Sequence, residues 1–227
     1  MIIITESDGK GLGSIFFDFF VVEGSFIMEK ICHDWKHLLD KDFTNGKYWN
    51  DFAENAQNAS VEIKIVKSYK DAIADILKIA KATDAKMIAG VGADECEELA
   101  DVYVEVNKSF KVYTDKFDIV KNKNELDIGI TLGEFGVGET GSICVDNYAY
   151  EARIASMLPL INIIFMPKNC IVNNMQDAFD VLAKVFWKGY SGFVTGPSRT
   201  SDIERVLTLG VHGPSRVILF AIEDDKR

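Results

Sequence analysis

From residue 60 onward, short apolar runs alternate with stretches of helical periodicity, and this alternation limits the possible folds more than any other feature of the chain. Val61–Val66 alternates apolar and polar residues at period 2, as a half-buried strand does. Ser68 stands where an N-cap belongs, and Ala72, Ile73, Ile76, Leu77, Ile79 and Ala80 then recur at helical spacing. The pattern predicts a strand at 86–91, then a helix at 94–107 with Leu99, Val102, Tyr103 and Val106 on one face. Further strands are expected at 111–114, 127–131 and 141–145, a helix at 148–157 and a strand at 161–166. Asn173 or Asn174 caps a helix reaching Trp187, and the chain closes as strand 191–195, helix 201–209 and strand 216–222. Strands separated by helices of about 10–15 residues imply βαβ units, a mostly parallel sheet and helices on both of its faces. The first 60 residues break the rhythm. Segments 24–39 and 48–58 look helical, so we expect an N-terminal helical cap (1–60) on an α/β domain (61–227).

Composition excludes several functions. A 227-residue chain that is 48% hydrophobic can bury a large core without staples and is too apolar for disorder. Its net charge of −10 opposes nucleic acid and anionic membrane surfaces. The four cysteines, Cys32, Cys96, Cys144 and Cys170, are too scattered for a zinc knuckle, an iron–sulfur motif or a disulfide framework. No leader pattern follows Met1, and the apolar runs 15–22 and 155–166 are interrupted by Asp18, Pro159 and Asn162. Both fall short of the roughly 20 residues that a membrane span needs. The expectation is a reduced, cytoplasmic protein with no membrane contact.

Two loops have a composition suited to ligand chemistry, and in parallel sheets ligands gather where strands end and helices begin. Gly133-Glu134-Phe135-Gly136-Val137-Gly138-Glu139-Thr140-Gly141 carries four glycines in nine residues. It is neither a Walker loop nor a dinucleotide fingerprint, and a tight inter-strand turn explains the glycines alone. Glu139 is harder to explain that way: an accessible carboxylate between glycines, beside the Thr140 hydroxyl, is placed to act as nucleophile or base. The second loop runs Thr195-Gly196-Pro197-Ser198-Arg199-Thr200-Ser201-Asp202-Ile203-Glu204. Ser201 and Glu204 have capping-box spacing, so a helix start accounts for Ser201, Asp202 and Glu204. It does not account for Ser198, Arg199 and Thr200, which together with helix amides would make a receptor for a carboxylate or phosphate. His212 lies between glycines in Gly210-Val211-His212-Gly213, as an acid–base group or as a structural hydrogen-bonding one. His33 and His37, at i and i+4, more readily form a solvated helix face than a metal site. No metal and no cofactor is expected.

These same residues carry a resemblance to a known family. Gly196–Glu204 followed by Leu209-Gly210-Val211-His212-Gly213-Pro214 resembles the C-terminal signature of the LUD (lactate-utilisation) domain family, and Glu139-Thr140-Gly141 resembles its central element. The resemblance extends from about residue 125 to 222. It implies a three-layer α/β/α fold similar to those of ribose-5-phosphate isomerase, glucosamine-6-phosphate deaminase and the CoA transferases. It also implies participation in oxidising L-lactate to pyruvate beside iron–sulfur oxidoreductase subunits, with self-association left open. The expected catalytic residues are Glu139, His212 and Asp202. The expected ligand contacts are Gly138, Thr140, Gly141, Gly196, Ser198, Arg199, Thr200 and Gly213. Two alternatives stand beside this: a stand-alone acyl-transferase-like or sugar-phosphate isomerase-like enzyme using Glu139, and a non-catalytic organic-acid sensor.

Overall fold

The computed structural model describes residues 45–185, 191–201, 207–210 and 212–225. Helix α1 (Trp49–Asn58) leads into strand β1 (Val61–Val66). At the next helix start the Ser68 N–H donates to the Asp71 carboxylate at 2.9 Å, and a 3-10 turn (Tyr69–Ala72) runs into α2 (Ile73–Ala82). Then follow β2 (Met87–Gly90), α3 (Glu97–Val106), β3 (Lys111–Tyr113) and α4 (Lys116–Lys121). The Asp115 carboxylate accepts from the Phe117 and Asp118 amides and so starts α4. The second half holds β4 (Ile128–Val137), β5 (Ser142–Asp146), α5 (Tyr150–Met157), β6 (Ile161–Pro167) and β7 (Ile171–Val172). It continues with α6 (Met175–Val185), β8 (Ser191–Val194), β9 (Arg199–Ser201), β10 (Leu207–Leu209) and β11 (Arg216–Ile222). The sequence-predicted helix at 24–39, with His33 and His37, lies outside the described residues.

Six strands form a parallel sheet in the order β1-β11-β6-β4-β2-β3. Alternate residues of its central strands enter different cores, as the pleat demands. Ile163, Phe165, Ile218 and Phe220 pack beneath α2 and α3 with Ile76, Leu99 and Val102. Rings stack there from Tyr69 to Phe165 (5.3 Å) and from Phe165 to Phe220 (5.2 Å). On the other face Ile164, Met166, Val217 and Leu219 meet Phe52 and Ala56 of α1. Farther along that face, Ile119 of α4 and Ile154 and Ala155 of α5 pack on Ala89 of β2. The result is the expected α/β/α arrangement.

Two sequence expectations need correction. The glycine-rich segment is mostly strand: β4 continues to Val137, passes a bulge between Gly133 and Phe135, and pairs antiparallel with β5, which pairs with β8. Its glycines serve close packing, since a Cβ at Gly136 would stand 2.7 Å from both Phe52 and Ile171. The loop proper is only the turn from Gly138 to Gly141. The predicted helix at 201–209 is not formed either. Arg199 faces Leu209 and Ser201 faces Leu207 in an antiparallel hairpin, β9–β10. Thr200, Ser201 and Thr208 are weak helix formers that suit a strand, and cross-strand pairing outweighs the helical spacing of the apolar residues. The intervening residues, Asp202 and Glu204 among them, lie outside the described residues.

Candidate functional site

Five of the candidate residues, Gly138, Glu139, Gly141, Gly196 and Arg199, contact the C-terminal half of α1 or the two residues after it. The antiparallel extension follows this helix, with Gly136 against Phe52, Gly141 against Ala56 and Gly196 against Ala59. Gly141 has φ +66° and Gly196 φ +92°. A Cβ on either would stand 2.1 Å from α1 backbone, at the Ala56 nitrogen and the Ala59 oxygen respectively, so only glycine fits. The Asn55 side-chain amide donates to the Gly138 carbonyl (2.9 Å) and the Glu139 carbonyl (3.2 Å) and ties the turn to the helix.

Glu139 itself is exposed, and its side chain already has a structural duty. Its carboxylate accepts the Met175 amide at 3.2 Å, at the first residue of α6, where a negative charge complements the helix dipole. Its own amide donates to the Asn173 carbonyl at 2.9 Å. Asn174 completes the start of α6 by accepting from the Asp177 amide at 2.9 Å. The turn is therefore held by α1 on one side and by α6 on the other.

Next to this turn, three hydroxyls are linked. Thr140 Oγ1 donates to Ser142 Oγ at 2.8 Å, and Ser142 Oγ lies 2.8 Å from Thr195 Oγ1. Ser142 is buried, and Thr195 is exposed where β8 ends. Arg199 is exposed as well, and its Nη2 donates to Ser60 Oγ at 2.7 Å. Among the described residues no carboxylate pairs with it. Ser60 adopts φ +69° at the end of α1, a conformation rare for a residue with a side chain.

His212 and Gly213 join this group through Ser198. The Ser198 amide donates to the Pro214 carbonyl (2.8 Å), the Gly210 amide donates to the Ser198 carbonyl (2.9 Å), and Gly213 packs against the Ser198 side chain. The Ser215 and Arg216 amides both donate to the Leu160 carbonyl. The Arg199–His212 locus therefore sits where β1, β6 and β11 begin. The sequence predicts the strands' carboxyl ends and a helix N-terminus; with β9 at Arg199–Ser201, no helix amides among the described residues converge on Arg199. Thr200 contributes its backbone to β9. No hydrogen bond among the described residues joins Glu139, Arg199 and His212 to one another. Glu139 and Arg199 instead attach to α1 and to the residues just after it, through Asn55 and Ser60 respectively.

The sequence gives no role to Asn55, Ser60 or Ser142, and includes Thr195 in the second loop without assigning it one. Ser142 had a visible signal, a hydroxyl residue opening an otherwise apolar strand; Ser60 had none, because its partner lies 139 positions away.

The family model described as LUD domain matches residues 49–222. Lactate utilization protein C of Bacillus subtilis (strain 168) is 31% identical over 110 residues, covering 46% of this chain and 46% of that protein. Its counterpart in Halalkalibacterium halodurans is 32% identical over 120 residues, covering 49% and 51%. The chain spans about half the length of the curated relatives it matches. A crystal structure of a DUF162 family protein from Deinococcus radiodurans superposes with a TM-score of 0.56 over 78% of this chain and 98% of that one. At 18% identity, that likeness is one of fold.

Proposed function

The chain belongs to the LUD domain family, and from that premise we propose that it is a ligand-binding and assembly subunit in the oxidation of L-lactate to pyruvate. On this reading it holds a small carboxylate or phosphate anion, while iron–sulfur clusters on partner subunits accept the electrons. The names of the relatives support the pathway. Arg199 is the observation that carries the binding role. A guanidinium has five N–H donors, and the described contact with Ser60 uses one of them. Docking on Ser60 leaves an edge of the planar fork for two parallel bonds to an oxyanion. Ser198 and Gly213 bring the His212 loop alongside, and His212 is the acid–base candidate of this locus.

The Glu139-based enzyme has weaker support, because that carboxylate already accepts the Met175 amide. An organic-acid sensor would use the same Arg199 locus without redox partners. Equilibrium binding of pyruvate to the purified chain tests the reading directly. Arg199→Ala should weaken it by about 1.5–3 kcal/mol, the range for a hydrogen bond to a charged group. Unchanged affinity would move the ligand elsewhere.

A further inference from the structure

We infer that Thr195 contacts the ligand and determines which kind of oxygen the site accepts; this rests on the anion-binding reading above. A hydroxyl has one proton and two lone pairs, so once Thr140 gives its proton to Ser142, the nearer of its two acceptors (2.8 Å, against 4.0 Å to Met175 Sδ), the direction of the rest of the chain follows from counting. Thr140 donates to Ser142, which is 3% exposed. The Ser142 proton then has one acceptor among the described residues, Thr195 Oγ1. Turning it elsewhere would leave a buried donor unmade, which folded proteins seldom tolerate. The chain thus runs from Thr140 through Ser142 to Thr195, and Thr195 is left with a proton to give outward. Its side chain is exposed, and no further acceptor among the described residues meets it.

Each bond in such a chain polarises the next, so the Thr195 hydroxyl is a stronger donor than an isolated one. The following residue, Gly196, seats on Ala59, and the neighbouring Ser60 holds the Arg199 guanidinium. A hydroxyl committed to donating and a guanidinium that can only donate are therefore both anchored beside the C-terminal end of α1. That combination suits an oxygen that only accepts, the ionised carboxylate or phosphoryl oxygen. It disfavours a neutral amide, whose N–H groups would oppose these donors.

Titration calorimetry with pyruvate, inorganic phosphate and neutral pyruvamide tests this. The wild-type chain should bind at least one of the two anions and discriminate against pyruvamide; the tighter anion identifies the source of the oxygen. Thr195→Val keeps the shape, removes the donor at an exposed position and should weaken anion binding about tenfold or more. Ser142→Ala frees the Thr195 hydroxyl to accept as well as donate, so the preference for pyruvate over pyruvamide should shrink. Full anion affinity in Thr195→Val, with Arg199→Ala weakened, overturns the inference and leaves the anion site standing. Unchanged binding in Arg199→Ala, or no anion binding by the wild-type chain, overturns both.

Discussion

Ser60 illustrates how a single residue can be disfavoured locally and retained for what it touches. Its φ of +69° costs about 1–2 kcal/mol for a residue with a Cβ, and its hydroxyl accepts from Arg199. Ser60→Gly relieves that strain but makes the unfolded chain more flexible and loses the same acceptor, so the terms nearly cancel and a net change within about 1 kcal/mol is expected, less costly than Ser60→Ala. Ser60→Ala keeps the strain and loses the acceptor, and should lower stability by about 0.5–1.5 kcal/mol. Chemical denaturation distinguishes them; equal losses in both variants would mean that the backbone is not strained at this position. At Glu139, substitution by Gln keeps an acceptor for the Met175 amide and removes only the charge at the helix start. A loss of about 0.3–1 kcal/mol is expected, with ligand binding intact. Abolished function in that variant would favour the enzyme reading. Glu139 and Arg199 were both legible in the sequence as polar residues that core packing does not explain. Their partners were not, because Met175 and Ser60 reach them only through tertiary packing.

Elements were more legible than their partners. Period-2 and helical patterns located the six strands of the parallel sheet and most of the helices on it, because one buried face imposes the periodicity directly; α4 gave too short a pattern to be expected, and β4 runs on to Val137. Segments compatible with two structures are less legible. The 201–209 stretch has apolar residues at helical spacing, yet the β9–β10 ladder forms instead. In the glycine-rich run, composition suggested a loop, whereas Gly136 and Gly141 are spaces that admit α1. Gly141→Ala would force a Cβ into the α1 backbone at a left-handed position, and should destabilise the protein by about 2 kcal/mol or more in chemical denaturation. Ordinary stability in that variant would mean that the turn can leave the helix freely. Strands β1 and β11 are also joined by charge. Arg216 Nη2 donates to Glu62 Oε2 at 2.8 Å and Arg216 Nε to Glu62 Oε1. The hydrogen bond from Arg216 and the charges of Arg216 and Lys64 hold the Glu62 carboxyl below its ordinary value, against the opposing effect of burial. A lowered folded-state value adds stability above the ordinary carboxylate range, and this is lost as the pH falls through the folded value. Glu62→Gln should therefore cost about 0.2–1 kcal/mol near pH 7, the range for a partly exposed pair, and almost nothing in strong acid. A cost that persists in acid would point to packing in place of charge.

For the molecule as a whole, a net charge of −10 surrounds a locus whose described donors, Arg199 and Thr195, suit an anion. Such a site depends on short-range hydrogen bonds, not on long-range attraction. Cys96 before α3, Cys144 in β5 and Cys170 before β7 are each buried, and the chain lacks the cysteine spacing that holds an iron–sulfur cluster. Among the described residues no helix is long and apolar enough to cross a membrane. On the proposed reading, binding and electron transfer are divided between polypeptides. The division can be measured by following L-lactate oxidation with an artificial electron acceptor, first with the purified chain and then with iron–sulfur oxidoreductase subunits added. We predict no turnover by the chain alone, and turnover on reconstitution that Arg199→Ala depresses. Oxidation of lactate by the isolated chain would contradict the account.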